Sequence, residues 1–286
     1  MARWAYVNGR YVRHDLAAVH VEDRGYQFAD GVYEVVAILE GRFADMDGHL
    51  DRLDRSLDEL RIAWPVSRRV LEMVLRELVR RNGVRNGSVY VQVSRGVAPR
   101  DFRFPSPRPP ALVVTTRTVQ RWVQPGQLED GVRVVTRPDI RWGRRDIKTT
   151  GLLAQVLGKQ AALESGAFEA WLVDGDGTVT EGCSSNAWIV TADGTLVTRE
   201  PSQRILNGVT RLSLLRLARE VGLTVEERPF TVDEAYAAHE AFLSSAGTFA
   251  LPVTRIDDRV IGSGKPGPVA LNLRQAYIED VLRRGA

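Results

Sequence analysis

Cysteine is nearly absent from this chain. Cys183 is the only one in 286 residues, so no disulfide can form within the chain, which fits a reducing compartment. Lysine is almost as scarce. All the basic residues except Lys148, Lys159 and Lys265 are arginines. Arginine serves surface charge pairing but forms no stable Schiff base with a carbonyl, so a lysine-dependent mechanism has three candidates. The four histidines, His14, His20, His49 and His239, lack metal-ligand spacing and have no cysteine cluster to join, so no metal site is expected. No apolar run approaches the roughly 18 residues that span a bilayer. The opening MARWAYVNGR lacks the apolar core of a secretory signal and reads as a first strand, which makes a cytoplasmic location the expectation. Charge of one sign is not in excess: 39 basic residues face 36 acidic ones, for a net +3. The two interleave, as in DRLDRSLDELR, the pattern of solvated helix faces and not of a nucleic-acid stripe. Neither nucleic acid nor a membrane is expected as a partner.

What remains, 44% hydrophobic and 26% charged, is a globular enzyme's composition, with length enough for two ordinary domains. Asn8-Gly9 between WAYV and RYV is a hairpin turn signal. A strand over 32–39 turns at Glu40-Gly41 into Arg42-Phe43. An amphipathic helix over 48–61 carries Leu50, Leu53, Leu57 and Leu60 on one face, and Ser67 caps a second helix bearing Val70, Leu71, Val74, Leu75 and Leu78. Strands follow at 88–94 and 111–119, separated by a proline- and arginine-rich loop over 99–110, of the length at which loops are often functional. QRWVQPGQLED, 120–130, reads as a linker. Beyond it, strands near 132–136, 169–173, 185–190 and 195–197 alternate with helices near 152–164 and 210–221, and further elements follow at 225–230, 241–245 and in a final helix over 269–284. The expectation is two α/β domains of the α+β type, 1–119 and 131–286, with mixed or antiparallel sheets, the lysine in the second domain and the ligand site in the cleft between domains.

Several residues could carry chemistry, each with a plainer reading beside it. Lys148, in RWGRRDIKTTGLL, precedes a helix. Arg144 and Arg145 would help keep its amine unprotonated while Asp146 opposes them, and alone it reads as a solvated lysine. Glu181, in TVTEGCSSNAWIV, is a carboxylate able to pair with a protonated pyridine nitrogen, or simply a turn residue. RILNGVTR puts Gly208 and Thr210 at a helix start, where backbone N–H groups cradle phosphate, or where threonine is an ordinary cap. SSAG, 244–247, ends a strand with small residues. Arg52 lies beside an apolar helix face, as surface ion-pair arginines also do. Tyr33 sits at a strand start in DRGYQFADGVYEVV, where hairpin packing is the alternative, and Cys183 reads as small filler.

Taken together, DRGYQFADGVYEVV, HLDRL, SRG…PR…FP, DIRW…DIK, VTEG…SSN, ILNGVTR and Pro252-Val253 keep their order over nearly the whole chain. The sequence thereby resembles the D-amino-acid transaminases of fold type IV of the pyridoxal-phosphate (PLP) enzymes, the superfamily that includes branched-chain aminotransferases, (R)-amine transaminases and aminodeoxychorismate lyases. The resemblance implies that Lys148 is the Schiff-base and proton-shuttling lysine, and that Glu181 pairs with the pyridine nitrogen. It implies that Arg52, Val209 and Thr210, at the turn containing Gly208, bind the phosphate, with Leu206 on the ring and Ala246 and Gly247 in a further phosphate and substrate loop. It implies that Tyr33 helps seat the substrate carboxylate and that the chain forms a homodimer in which Arg100 reaches the other subunit's site. The family's Arg-x-His pattern is broken here, because Phe102 takes the histidine position. Arg103 is a possible substitute, and tolerance of (R)-amines is a possible consequence. The implied reaction is transamination of D-amino acids with 2-oxoglutarate or pyruvate. The competing readings are a branched-chain aminotransferase or aminodeoxychorismate-lyase-like enzyme and, more distantly, an inactive binding protein on the same scaffold.

Overall fold

The computed structural model describes residues 3–284, so the few terminal residues that the sequence reading places in its two domains lie outside the described residues. The chain divides into two compact units. The first runs to Arg121 and takes in Ile147–Gly151; the second comprises Trp122–Asp146 and Leu152–Arg283. Lys148 therefore belongs to the first unit, whereas the sequence reading puts it in the second domain. The segment is drawn there by backbone pairing with residues more than a hundred positions earlier, a contact that no local pattern announces.

The first unit contains β1 (Trp4–Val7), β2 (Arg10–Arg13), α1 (Arg24–Phe28), β3 (Gly31–Leu39), β4 (Arg42–Phe43), α2 (Met46–Glu59), α3 (Arg68–Asn82), β5 (Gly87–Ser94) and β6 (Ala111–Thr118). Its six strands make one antiparallel sheet in the order β2-β1-β6-β5-β3-β4. The Asn8-Gly9 pair takes positive φ at both positions, as a type I′ turn requires. The apolar stripe of α2 (Leu50, Leu53, Leu57) and that of α3 (Leu71, Leu75, Leu78) pack with Val36, Ile38, Val89 and Val91 of the sheet. Each such leucine contributes about 1.5–3 kcal/mol by burial. Ser67 accepts from Val70 N at 3.3 Å at the start of α3, and Gly83, at φ 60°, ends it. The five-residue α1, capped by the Asp23 carboxylate accepting from Gly25 N, has no counterpart in the sequence reading. It is too short to show a helical period.

The second unit contains β7 (Val132–Pro138), α4 (Leu153–Glu164), β8 (Glu169–Val173), β9 (Val179–Gly182), β10 (Asn186–Val190), β11 (Leu196–Thr198), α5 (Val209–Glu220), β12 (Val225–Glu227), α6 (Val232–Tyr236), β13 (Glu240–Ser245), β14 (Phe249–Ile256), β15 (Arg259–Val260) and α7 (Pro268–Arg284). Its nine-stranded sheet runs β12-β11-β10-β13-β14-β7-β8-β9, with β15 on β14. β7 pairs in parallel with both β14 and β8, and most other pairs are antiparallel, so the sheet is mixed as expected. The 120–130 stretch forms no helix or strand. It is not a bare tether, however, because the Trp122 ring lies tilted 4.9 Å from that of Phe249 and Val123 and Leu128 pack on the core of the second unit. Among the described residues no helix is long and apolar enough to cross a membrane.

Candidate active site

In the first unit the lysine segment lies against β3 through a single isolated bridge. Thr149 bridges Val32 in antiparallel fashion, Tyr33 N donates to Lys148 O at 3.0 Å, and Thr150 N donates to Gly31 O at 3.0 Å. Thr150 also turns its hydroxyl to the Ala29 carbonyl at 3.2 Å. This fixes the backbone on either side of Lys148 while its side chain stays half-buried, with Nζ 4.2 Å from the centre of the Tyr33 ring. The Tyr33 ring in turn lies tilted 5.5 Å from that of Tyr90, whose hydroxyl is pushed up to about 12 by burial and then by Tyr33. The other two lysines are engaged. Lys159 bonds the Phe168 carbonyl and lies over that residue's ring. Lys265 pairs with Asp130 at 3.3 Å. No carboxylate pairs with Lys148 among the described residues. Arg144 and Arg145, which the sequence offered as cations assisting this amine, are each bound to carboxylates: Arg144 to Asp146, and Arg145 to Asp174 and Asp139.

Arg52 is held by a residue the sequence reading did not weigh. Its Nε donates to Glu34 Oε1 at 2.7 Å and a terminal nitrogen to Oε2 at 2.8 Å, while His49 Nδ1 meets Oε2 at 2.7 Å. All three side chains are buried or nearly so. Burial alone would raise the Glu34 carboxyl, but the charge and hydrogen bonds of Arg52, aided by His49, hold it well below the usual carboxylate range. Glu34 lies on an alternating strand and His49 and Arg52 on one face of α2, a juxtaposition that strand and helix periods cannot reveal separately.

The loop after β5 keeps Arg100 over the Phe28 ring, 4.6 Å from its centre, and Phe102 5.6 Å from the same ring though 86% exposed. Arg103 is bound to the adjacent Asp101 carboxylate at 2.6 Å. The loop is tied down by Arg24, whose guanidinium reaches the Asp101 carbonyl at 2.6 Å and Asp30 at 2.8 Å.

In the second unit Glu181, on β9, is buried inside a set of donors. Arg141 bridges it to Asp139, Asn186 Nδ2 donates to Oε2 at 3.0 Å, and Leu206 N lies 3.0 and 3.1 Å from its two oxygens. Burial raises the Glu181 carboxyl, against the pull of Arg141 and of Leu206 N–H. Two carboxylates thus share the Arg141 guanidinium, and a further cation against Glu181 would be welcome. Asn186 also donates to Leu206 O at 2.9 Å, which pins the 206–208 turn to the carboxylate. A Cβ at Gly208 would stand 2.1 Å from Asn186 Oδ1, so only glycine fits there. Gly208 is the N-cap of α5, without a side-chain cap and with no acidic residue in the first turn. The N–H groups of Val209 and Thr210 begin that helix, where amides lack helical acceptors and favour an anion. Behind them the fully buried Arg211 donates to Arg199 O at 2.6 Å, Glu227 at 2.9 Å and Asn207 Oδ1 at 3.1 Å. Ala246 and Gly247 lie in the turn between β13 and β14, and a Cβ at Gly247 would meet only Ser245 Oγ, at 4.0 Å. Cys183 packs as filler, its Sγ so close that a Cβ on Gly158 would lie 2.7 Å away. The donor set suits a phosphorylated pyridine: a buried carboxylate for a protonated ring nitrogen, and an uncapped helix start for a dianion.

Residues 31–256 match the family model Amino-transferase class IV. The chain is 42% identical over 279 residues to the D-alanine aminotransferase of Bacillus licheniformis, covering 98% of this chain and 97% of that one. It is 39% identical to the D-alanine aminotransferase of Listeria monocytogenes serotype 4b (strain F2365), covering 97% and 96%. Among solved structures, a branched-chain amino acid aminotransferase from T.th., with pyridoxamine 5'-phosphate, superposes with a TM-score of 0.91 at 29% identity, covering 99% of this chain and 95% of that one. This chain belongs to the class IV amino-transferases.

Proposed function

We propose that this enzyme uses PLP to move the amino group of D-amino acids to a 2-oxo acid, 2-oxoglutarate or pyruvate. The observation that carries the reading is end-to-end identity of 42% with a D-alanine aminotransferase, a similarity that reaches well beyond the motifs. When bound, PLP supplies the electron sink for charge that develops at the substrate Cα. Lys148 would hold the cofactor through its amine and, once the substrate's amine had displaced that amine, would be the base at the substrate Cα, its backbone fixed to β3. Glu181 holds positive charge at the ring nitrogen, with Arg141 and Asn186 fixing the carboxylate. Arg52, oriented by Glu34, and the N–H groups of Val209 and Thr210 hold the phosphate; Leu206 and Gly208 shape the turn beside the ring, and Ala246 and Gly247 close the other side. Tyr33 and Arg100 take the substrate carboxylate. With Arg103 turned onto Asp101, Phe102 leaves the second carboxylate donor unreplaced, which favours some activity on (R)-amines.

The test is the visible spectrum of the purified holoenzyme. Addition of D-alanine should bleach the cofactor band and 2-oxoglutarate should restore it. The fold likeness to a branched-chain aminotransferase favours one second reading, of L-branched-chain substrates. A band that ignores D-alanine but responds to L-leucine would establish that alternative and sink the first.

The working form is a homodimer in the cytoplasm. Leu153, Val156 and Leu157, spaced i, i+3 and i+4 on α4, are each more than half exposed, an apolar stripe that a second copy would cover. Sedimentation should give twice the chain mass, reduced by Leu157→Glu; a wild-type monomer would refute the dimer.

A further inference from the structure

Arg274, on α7, is a buried cation without a carboxylate partner among the described residues. It is 7% exposed, and burial alone moves its pKa, down to about 10, with no acidic group contributing, so it stays charged at neutral pH. One guanidinium nitrogen donates to two backbone carbonyls, those of Thr248 and Ala250, the second at 2.9 Å. Between them stands Phe249 at φ 57°, in the left-handed region that a bulky residue rarely enters. Such a conformation persists only where its surroundings enforce it, and it tends to mark ligand-holding segments. Here the enforcement is visible. The Phe249 ring is fully buried, 4.9 Å from Trp122, 5.4 Å from Tyr277 and 5.1 Å from the Arg274 guanidinium carbon. The helix carrying Arg274 and Tyr277 is itself anchored, because Glu240 of β13 accepts from Val269 N and Ala270 N at 3.1 Å each.

What these contacts fix is the exit of the chain from the 245–248 turn. Within the turn Ser245 Oγ meets Thr248 Oγ1 at 2.8 Å, while Gly247 is exposed at the tip. An arginine left without an anion in the protein is costly to bury, and its retention calls for a purpose other than ion pairing.

We propose that Arg274 is a positioning residue: by clamping the carbonyls on either side of Phe249 it holds the 245–248 turn in the shape that receives the cofactor's phosphate. This rests on the reading of Ala246 and Gly247 as cofactor contacts. The same fixed positive charge adds to the attraction for a dianion at the turn.

Apoprotein carrying Arg274→Met or Arg274→Lys tests the assignment. Calorimetric titration with pyridoxamine 5'-phosphate should give affinity weakened about 10-fold or more in Arg274→Met, the scale seen when a supporting residue behind a ligand contact is removed. Phosphate-free pyridoxamine should bind both variants within about 2-fold of wild type. Arg274→Lys keeps the charge but not the two-carbonyl geometry, so it should fall between the two, and it carries the comparison if the methionine variant does not fold. Hydrogen exchange at amides 246–249 of the apoprotein should be faster in both variants. Unchanged affinity for pyridoxamine 5'-phosphate, or equal weakening for both ligands, would overturn the proposal, as would unaltered exchange. Wild-type protein that binds neither ligand would instead refute the cofactor reading, and the exchange rates would still decide whether Arg274 holds the turn.

Discussion

Lys148→Ala should lower the turnover of D-alanine by about 10³-fold or more, within the range that a single general acid–base group contributes. The loss should be chemical and not structural. The contacts that fix this segment to β3 are made by backbone atoms of Lys148 and by Thr149 and Thr150, and alanine preserves them. The side chain itself gives up only its approach to the Tyr33 ring at 4.2 Å, a cation–π contact of about 0.5–1 kcal/mol where partly exposed. Steady-state kinetics beside thermal unfolding separate the two effects. A variant that keeps more than about a tenth of wild-type turnover would remove Lys148 from the reaction, and activity would then have to be sought at Lys159, already bound to the Phe168 carbonyl.

Glu181→Gln should be felt twice. Arg141 loses one of its two carboxylates, and a buried pair broken on one side typically costs about 3–5 kcal/mol. Asp139 remains on the guanidinium, so the expected loss is at the low end, about 3 kcal/mol, read as a shift in the urea midpoint. Catalysis should fall further, by about 10²-fold in kcat, the scale of removing one preorganised electrostatic contact from a site where charge develops. Asn186 and Leu206 N both reach the Oε2 position and can still bond an amide oxygen placed there, so the turn at Gly208 stays near its place and cofactor affinity changes less than kcat. A folded variant with kcat within about 3-fold of wild type would end the assignment of Glu181 to the ring nitrogen.

Periodic elements are legible in the sequence because their signals are local. The Ser67 cap, the stripes of α2 and α3 and the Asn8-Gly9 turn fall where the residues indicate. β14 escapes the sequence reading, because Pro252 sits in mid-strand and proline argues against a central strand. In the sheet it faces Phe242, where one lost donor is tolerated. The candidate site is legible only through the order of its motifs. Lys148, Glu181 and Arg52 each look ordinary alone, and their supports look more ordinary still. Glu34 and Arg274 are joined to partners in other elements, and no spacing rule joins Arg274 to Thr248 or Glu34 to Arg52. Arg103 shows the reverse limit: a guanidinium two residues from a carboxylate binds it, a local pair that the sequence reading did not weigh.

The pairing of the lysine segment with β3 also bears on how the protein is made. At about 5–20 residues per second, Thr149 leaves the ribosome several seconds after Val32, and until then the edge of the nascent sheet at Tyr33 has an N–H with no carbonyl to receive it. The first unit therefore cannot finish as an autonomous N-terminal domain; it is completed by a stretch that arrives after the second unit has begun. Synthesis order makes the 147–151 segment one of the last pieces to join the first unit, so a chain arrested before residue 147 holds neither Lys148 nor the backbone that pairs with this edge.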